Sequence, residues 1–214
     1  MKIKGIVFDL DGTLYESGGY VRQLMEGIRD TLAEFLSMDV QASEKLLHRI
    51  RAEYGSITLG LKSLGIRRSD FYRRLVDKLT PERFIKPRPE LLDLLSTLRR
   101  KGFKLACHTN ASRALADKVL NALKIPPSIF DIIVTCDDAD PKPTPDGYLK
   151  IIEALKLRPE ELLYVGDRWR VELEPAKKLG MKTVLVSSKP EGKPDLIIRD
   201  VLELPERIQS LKDP

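Results

Sequence analysis

The amino-acid sequence predicts an α/β protein with a doubly wound parallel sheet and a separate, all-helical insertion near its amino terminus. Two patterns support this prediction. Short apolar segments rich in β-branched residues alternate with amphipathic helical segments over residues 90–198. Over residues 20–79, apolar residues instead recur every three or four positions without an intervening strand pattern. One strand-like segment precedes this helical region, so the helices interrupt the α/β pattern.

The first elements are a buried strand and a small helical bundle. The run from Ile3 to Phe8 is short and apolar and ends in acidic and glycine residues, which predicts a strand that opens into a loop. Helical stripes follow between Tyr20 and Leu79, and Ser69 is a candidate amino-terminal cap for the last of them. Pro87 and Pro89 then disfavour helix and indicate a connection back to the sheet. We therefore expect a catalytic core of residues 1–15 and 86–214 and a helical cap domain of residues 16–85.

The remaining elements alternate regularly. A basic last turn and Gly102 end a helix over 90–101, and Thr144 with Pro145 begins another that runs to Leu155. Further helices are predicted over 112–123 and 171–179, with a last one in the tail. Strands are predicted over 104–109, 132–135, 162–165, 183–186 and 196–198. Repeated strand and helix units favour a parallel sheet with helices on both faces.

Composition excludes several classes of protein. Charged residues of both signs make up 32% of the chain and apolar residues 42%, as in folded globular proteins. No apolar run has the roughly 18 residues that span a bilayer, and Asp9 interrupts the first one, so we expect a cytoplasmic protein without a membrane segment. Cys107 and Cys136 lack the spacing of a zinc site. The net charge of +5 comes from short, broken basic clusters, which argues against nucleic-acid binding.

The sequence Asp9-Leu10-Asp11-Gly12-Thr13 directly follows the first predicted strand. Two carboxylates one residue apart suit metal-assisted phosphoryl transfer: one attacks phosphorus, and the other protonates the leaving oxygen and then activates water. Mg²⁺ suits such a site because it prefers hard oxygen ligands. A surface turn or a simple cation site would also explain the motif taken alone.

Three further signals follow later strands. Thr109 and Asn110 come after the second strand and offer donors to a phosphate oxygen, although a strand end with a helix cap explains them equally well. Lys142 lies in a proline-stiffened loop after the third strand, and Asp167 and Glu172 follow the fourth. Each signal is weak alone. Because parallel strands end at one edge of a sheet, we expect all of them to meet there.

Together the segments DLDGT, HTN, DPKP and GDRWRVE resemble the four motifs of the haloacid dehalogenase superfamily, over nearly the whole chain. The match is to its phosphatase branch with a helical cap between motifs one and two, similar to phosphoglycolate phosphatases. The resemblance implies a Rossmann-like core and a small phosphomonoester substrate. It also implies Asp9 as nucleophile and Asp11 as general acid and base. Thr109, Asn110 and Lys142 would then bind the phosphoryl group, with Mg²⁺ held by Asp9, Asp167 and the backbone carbonyl of Asp11.

Two departures and three alternatives remain at this point. Glu172 stands where an aspartate is common and Pro175 where glycine is frequent, so we assign Glu172 a supporting role. A metal-independent 2-haloacid dehalogenase would also use Asp9 but needs no second aspartate, so Asp11 argues against it. A phosphomutase would share every residue named above. A protein of the same fold that only binds its ligand is the third alternative.

Overall fold

The computed structural model describes residues 2–208 and is built on a six-stranded, entirely parallel sheet in the order β3-β2-β1-β4-β5-β6. The strands are β1 Gly5–Phe8, β2 Lys104–His108, β3 Ile132–Val134, β4 Leu162–Gly166, β5 Lys182–Val186 and β6 Leu196–Ile198. The first strand lies in the middle, and the chain winds outward from it in both directions. This order places a topological switch beside β1, where ligands of doubly wound sheets bind.

Both faces of the sheet are buried under apolar side chains. Ile6 and Phe8 of β1 belong to one core cluster, whereas Val7 between them belongs to the other. This alternation follows from the two-residue period of a strand. A strand that is buried on both sides must be apolar at successive positions, which is why the β1 sequence is continuously apolar.

Helices cover the two faces as the sequence predicts for a doubly wound fold. The core helices are α5 Pro89–Arg100, α6 Arg113–Ala122, α7 Asp146–Leu155, α8 Glu174–Lys178 and α9 Leu204–Arg207. Leu95 of α5 and Leu120 of α6 pack in the cluster that contains Phe8, and Tyr148 of α7 and Ala176 of α8 pack in the cluster that contains Val7. The predicted fold class is confirmed.

Four helices lie between β1 and α5: α1 Gly18–Leu36, α2 Val40–Tyr54, α3 Ile57–Ser63 and α4 Arg68–Lys78. The hydroxyl of Ser17 accepts a hydrogen bond from the Tyr20 N–H, and the carboxylate of Asp39 accepts one from the Ala42 N–H, so both side chains cap helix amino termini. The prediction of Ser69 as a cap is wrong. Helix α4 begins one residue earlier, at Arg68, because its apolar stripe of Phe71, Tyr72 and Leu75 is anchored by burial and needs no side-chain cap.

Several element boundaries differ from the prediction. The helix predicted over 171–179 is a π-helical turn, Trp169–Leu173, followed by the short α8. Thr144 does not cap α7, because its hydroxyl donates backwards to the carbonyls of Asp140 and Pro141. The short strand predicted over 196–198 is β6. No helix among residues 2–208 has the combination of length and apolar character needed to cross a membrane.

The packing of α7 on β2 generates a stability prediction. A Cβ on Gly147 would collide with the imidazole of His108, which is buried between Tyr148 and Tyr164. We expect Gly147→Ala to lower the free energy of unfolding by about 1–3 kcal/mol through overpacking. Gly18→Ala is the matched control, because no heavy atom lies within 4 Å of the added Cβ in helix α1. Urea unfolding measures both, and equal stability of the two variants would contradict the close approach of α7 to β2.

Candidate active site

The candidate site lies at the carboxyl end of β1, where the chain turns into the segment Asp9 to Thr13. The backbone N–H of Asp9 still donates to the Val165 carbonyl of β4 at 2.9 Å, so the sheet ladder holds its position. Gly12 adopts a φ of +90°, and a Cβ there would collide with the carboxylate of Asp167. Glycine is therefore required for this loop to pass close to the end of β4.

Lys142 is the centre of the site. Its ammonium group donates to the carboxylate of Asp9 at 2.5 Å, to the carbonyl of His108 at 2.9 Å and to the carboxylate of Glu172 at 3.2 Å. All three ammonium hydrogens are thus used, and the side chain is completely buried. Burial lowers the pKa of Lys142, but Asp9 and Glu172 raise it more strongly, so the net pKa lies above its ordinary value. Lys142 is therefore a buried cation.

Asp9 is held on both of its carboxylate oxygens. Oδ1 accepts from Lys142, and Oδ2 accepts from the Thr13 hydroxyl at 3.0 Å. Burial and the nearby charge of Glu172 raise the pKa of Asp9 to about 6, against the opposing effect of Lys142. One of its carboxylate oxygens lies within 4.8 Å of a carboxylate oxygen of Asp167.

Glu172 lies in the π-helical turn and is saturated with hydrogen bonds. Oε1 accepts from Lys142 and, at 2.6 Å, from the guanidinium of Arg168, and Oε2 accepts from the backbone N–H groups of Asp167 and Arg168 at 3.2 and 3.4 Å. Burial raises the pKa of Glu172, but the two cations outweigh it and keep that pKa below its ordinary value. Glu172 is an ionised bridge between Lys142 and Arg168.

Asp167 differs from Glu172 in having an oxygen to spare. Its Oδ1 is buried and accepts no hydrogen bond, and the nearest cation, the guanidinium of Arg168, is 3.6 Å away. Burial, with Glu172 and Asp9 nearby, raises the pKa of Asp167 to about 8. Asp9, Asp167 and Glu172 each offer an oxygen within 4.8 Å of the others, a spacing that could hold a metal ion.

The donor set suits a divalent cation with hard-oxygen preference. Four carboxylates, those of Asp9, Asp11, Asp167 and Glu172, share only two cations, Lys142 and Arg168, which leaves two negative charges when all are ionised. Burial is the largest cause of the raised pKa values of Asp9 and Asp167, and repulsion from Glu172 adds to it. Each oxygen of Glu172 accepts at least two hydrogen bonds, whereas each oxygen of Asp9 accepts one and Oδ1 of Asp167 accepts none, so Asp9 and Asp167 are the better candidates for ligands.

The carboxylate of Asp11 accepts hydrogen bonds from two hydroxyl groups. Tyr15 donates to its Oδ1, and Thr109 donates to Oδ2 at 3.4 Å. Burial raises the pKa of Asp11, and the hydrogen bond from Tyr15 opposes this effect. A carboxyl group with a raised pKa that lies two residues beyond Asp9 is suited to proton transfer. The raised pKa therefore fits the part of proton donor and acceptor better than that of a permanently ionised ligand.

Thr109 and Asn110 follow β2, and the Thr109 N–H still pairs with the Val134 carbonyl of β3 at 3.0 Å. The side chain of Asn110 contacts Lys142, whose backbone N–H donates to Asn110 Oδ1 at 2.8 Å. His108 points away from the site and hydrogen-bonds Tyr164 at 3.0 Å, and burial lowers its pKa well below the ordinary value. It is a neutral packing residue.

A cavity of about 340 Å³ lies above Asp11 and Asp167, between the α1–α4 helices and the sheet edge. From the helices it is lined by Val21, Leu24, Met25, Ile28, Arg51, Ser56, Ile57, Thr58 and Tyr72. From the sheet edge its walls include Asn110 and Arg168. The cavity thus joins an apolar chamber to the carboxylate cluster.

The sequence interpretation did not assign Tyr15 or Arg168 to the site. Both lie four residues from a carboxylate that they contact, Tyr15 from Asp11 and Arg168 from Glu172. Spacing of i to i+4 on a turn or helix brings side chains together, so this spacing was the available signal.

Comparisons with known proteins agree with this geometry. The phosphoglycolate phosphatase of Aquifex aeolicus is 33% identical over 193 residues, which cover 84% of this chain and 83% of that protein. The glyceraldehyde 3-phosphate phosphatase of Methanocaldococcus jannaschii is 27% identical over 231 aligned positions, which cover 98% of this chain and 99% of that protein.

The crystal structure of a HAD phosphatase from Thermococcus onnurineus has the same fold, with a TM-score of 0.69 at 24% identity over 96% of this chain and 98% of that one. The family profile of haloacid dehalogenase-like hydrolases matches residues 3–180. The match spans all four segments that carry the carboxylates, Thr109 and Lys142. The chain therefore belongs to the haloacid dehalogenase-like hydrolases.

Proposed function

We propose that this hydrolase is a Mg²⁺-dependent phosphatase that cleaves a small phosphomonoester through an aspartyl-phosphate on Asp9. The observation that carries the proposal is the buried contact of Asp9 with Lys142, 2.5 Å long, with the carboxyl group of Asp11 beside it. Lys142 lowers the pKa of Asp9 and so favours its ionised, nucleophilic form against the effect of burial, while burial raises the pKa of Asp11 and favours retention of its proton. The two aspartates thus have different tasks.

The reaction follows from these protonation states. A carboxylate oxygen of Asp9 attacks phosphorus, the bond to the leaving oxygen breaks, and Asp11 gives its proton to that oxygen. Asp11, now ionised, takes a proton from water, whose oxygen attacks phosphorus and releases inorganic phosphate and free Asp9. Lys142 and Thr109 would hold the phosphoryl oxygens through the ammonium group and the hydroxyl. Phosphate binding by Asn110 stays a prediction.

Mg²⁺ would be held by Asp9, Asp167 and the backbone carbonyl of Asp11, with Glu172 in support. The unpaired buried oxygen of Asp167 supports this assignment. When bound, the ion would neutralise phosphate charge and favour attack by one anion on another. Arg168 and Lys142 already satisfy Glu172, so its part is to keep these two cations in place.

The alternatives use the same fold but not all of the site. A 2-haloacid dehalogenase has no need for the carboxyl of Asp11 or for the carboxylate cluster at Asp167, and a binding protein has no need for proton transfer. A phosphomutase would differ only in where the phosphoryl group goes. Release of inorganic phosphate, measured against transfer to a second hydroxyl of the substrate, separates the hydrolase from the mutase.

We further propose that residues 16–85 form a cap that opens and closes over the site. The Ser17 hydroxyl donates to the Phe84 carbonyl at 3.0 Å, which ties the two connections together. Gly18 and Gly19 lie in the first turn of α1 and not in a free linker, so bending would fall on residues 14–17 and 84–88. Since Asp9, Thr109 and Lys142 contact only the phosphoryl group, selection among leaving groups falls to the cavity under the cap.

The charge of this cavity indicates which chemical class of leaving group it would bind. Arg51 and Arg168 are the two cations among its described lining residues, and Arg168 is paired with Glu172. The guanidinium of Arg51 donates to a weak acceptor, Sδ of Met25, at 3.9 Å. Relatives bear the names phosphoglycolate phosphatase and pyrophosphatase, whose named substrates are anionic beyond the transferred phosphate. We propose a short leaving group with an anionic end that Arg51 binds.

The nucleophile assignment is tested with a pair of variants. Asp9→Asn removes the attacking charge and is expected to lower kcat by at least about 10³-fold while the protein still folds. Asp11→Asn also lowers kcat but leaves Asp9 able to attack. Mass spectrometry after incubation with a good-leaving-group phosphomonoester should therefore find phosphate on Asp9 in Asp11→Asn and none in Asp9→Asn. If Asp9→Asn retains half of the activity, Asp9 is not the nucleophile.

The metal assignment is tested by chelation and by the fluorescence of Trp169, the single tryptophan, two residues from Asp167. We expect excess chelator to abolish hydrolysis and Mg²⁺ to restore it, because several anionic oxygens share one small site. Titration of Trp169 fluorescence should show Mg²⁺ binding that Asp167→Asn weakens by about 10-fold or more. Asp137→Asn, at an exposed aspartate outside the carboxylate cluster, is the control. Full activity in chelator would contradict the assignment.

The specificity assignment is tested by Arg51→Met. We expect kcat/KM for phosphoglycolate to fall about 10-fold or more, because hydrogen bonds to a charged group are worth about 1.5–3 kcal/mol. For 2-hydroxyethyl phosphate, which lacks the carboxylate, kcat/KM should stay within about 2-fold of the wild-type value. Arg49→Met is the matched control, since Arg49 lies on the same helix but does not line the cavity. Equal losses on both substrates would reject a role for Arg51 in recognising the anionic end.

A further inference from the structure

We propose that Asn110 is a positioning residue that links contact of the cap to the placement of Lys142. The inference rests on the proposed function for the part that Lys142 takes in hydrolysis, but its structural half is independent of catalysis. Asn110 lies between the two: its side chain contacts the backbone of Lys142, and its carbonyl contacts the cap.

The side-chain amide of Asn110 holds Lys142 by two reciprocal hydrogen bonds. Oδ1 accepts from the Lys142 N–H at 2.8 Å, and Nδ2 donates to the Lys142 carbonyl at 3.0 Å. The second hydrogen of Nδ2 points to the Ser56 hydroxyl at 3.4 Å. Both N–H groups are therefore engaged, so phosphate binding by Asn110 would require this side chain to release Lys142 or Ser56.

The position of the Lys142 backbone matters because the ammonium group at the end of the side chain must make several contacts at once. It is fully buried and must reach Asp9, Glu172 and the His108 carbonyl at once. A displacement of the Lys142 backbone would break at least one of these contacts and leave buried charge unpaired, which is costly. Among residues 2–208, Asn110 is the residue outside the 139–144 loop whose side chain hydrogen-bonds the Lys142 backbone.

The carbonyl of Asn110 accepts hydrogen bonds from the cap. The hydroxyls of Thr58 and Tyr72 both donate to it, at 3.2 and 3.1 Å, and lie 2.8 Å from each other. Thr58 belongs to α3 and Tyr72 to α4, so two cap helices meet at one carbonyl oxygen. With Ser56, the cap makes three polar contacts to this single core residue.

Through these contacts, closure of the cap would affect the contact between Lys142 and the nucleophile, Asp9. With the cap in place, Asn110 is held from above and its amide is aligned on Lys142, whose ammonium group is aligned on Asp9. With the cap lifted, Asn110 loses the partners on its carbonyl and one on its amide, and its grip on Lys142 loosens. Lys142 would thus be fully placed only while these cap contacts are made.

The chain provides a single-site reporter for this link. Pro141 and Pro143 have no backbone N–H, so the Lys142 amide is the one exchangeable backbone hydrogen in the segment 141–143. We would measure its hydrogen-exchange rate by NMR in the full-length protein without substrate. The variants are Asn110→Ala, Asn110→Asp, which keeps the acceptor but not the donors, and the double cap variant Thr58→Val with Tyr72→Phe.

We expect exchange at Lys142 to be about 10-fold or more faster in Asn110→Ala and several-fold faster in the double cap variant, which does not touch Lys142. Lys118→Met is the control: it breaks a different cap contact, to the Val76 and Leu79 carbonyls at 2.7 and 3.1 Å, and should leave the Lys142 rate unchanged. Amide exchange in β1 monitors global stability in every variant.

Kinetics add a second measurement. We expect kcat to fall more than KM rises in Asn110→Ala and Asn110→Asp, whereas loss of a phosphate ligand would mainly raise KM. The inference is overturned if the Lys142 rate is unchanged in Asn110→Ala, or if Lys118→Met accelerates it as much as the double cap variant does. Should the wild-type protein hydrolyse no phosphomonoester, the proposed function fails while the exchange rates still decide the structural link.

Discussion

The arrangement of the site depends on one constraint, the burial of the Lys142 ammonium group among carboxylates. A lysine without solvent contact is stable only where its charge is matched and its three hydrogens are satisfied. Asp9, Glu172 and the His108 carbonyl meet that demand here. Each of them comes from a different strand end or turn, so the requirement holds β1, β2 and the β4 turn in register around one atom. Arg168 extends the same pattern, because it supplies the second cation that Glu172 needs.

The strand order brings the site residues together without long loops. In the order β3-β2-β1-β4-β5-β6, the strand that leads to Asp9 lies directly between those that lead to Thr109 and Asp167. Each residue needs only to follow its strand immediately to reach the common edge. Lys142 is the exception, since it follows β3 by eight residues and must return across β2. Its loop therefore needs an anchor, and the amide of Asn110 at the end of β2 provides one.

The contacts of the site differ in how far they could be predicted from the sequence, because some follow from strand order or local spacing and others from the placement of distant helices. Asp9, Thr109, Lys142 and Asp167 were predicted to meet because strand ends of a parallel sheet meet regardless of side-chain detail. The ion pair of Arg168 with Glu172 could have been predicted from the i to i+4 spacing but was not assigned. The contacts of Thr58 and Tyr72 with Asn110 could not be predicted, because they depend on how the helices of residues 16–85 lie on the sheet. No periodicity in the sequence encodes that placement.

Glu172 illustrates why a residue type at one position cannot be interpreted alone. Its carboxylate lies where a Cβ on Gly166 would be, so glycine at the end of β4 and glutamate six residues later depend on each other. The π-helical turn provides the wider loop between them: the Leu173 N–H reaches back five residues to the Arg168 carbonyl at 3.4 Å. Pro175 then suits the start of α8, where no intrahelical partner for an N–H is required. A shorter aspartate at 172 would draw the bridging carboxylate away from Lys142 and Arg168, so the length of the side chain, the turn and the glycine act as one unit.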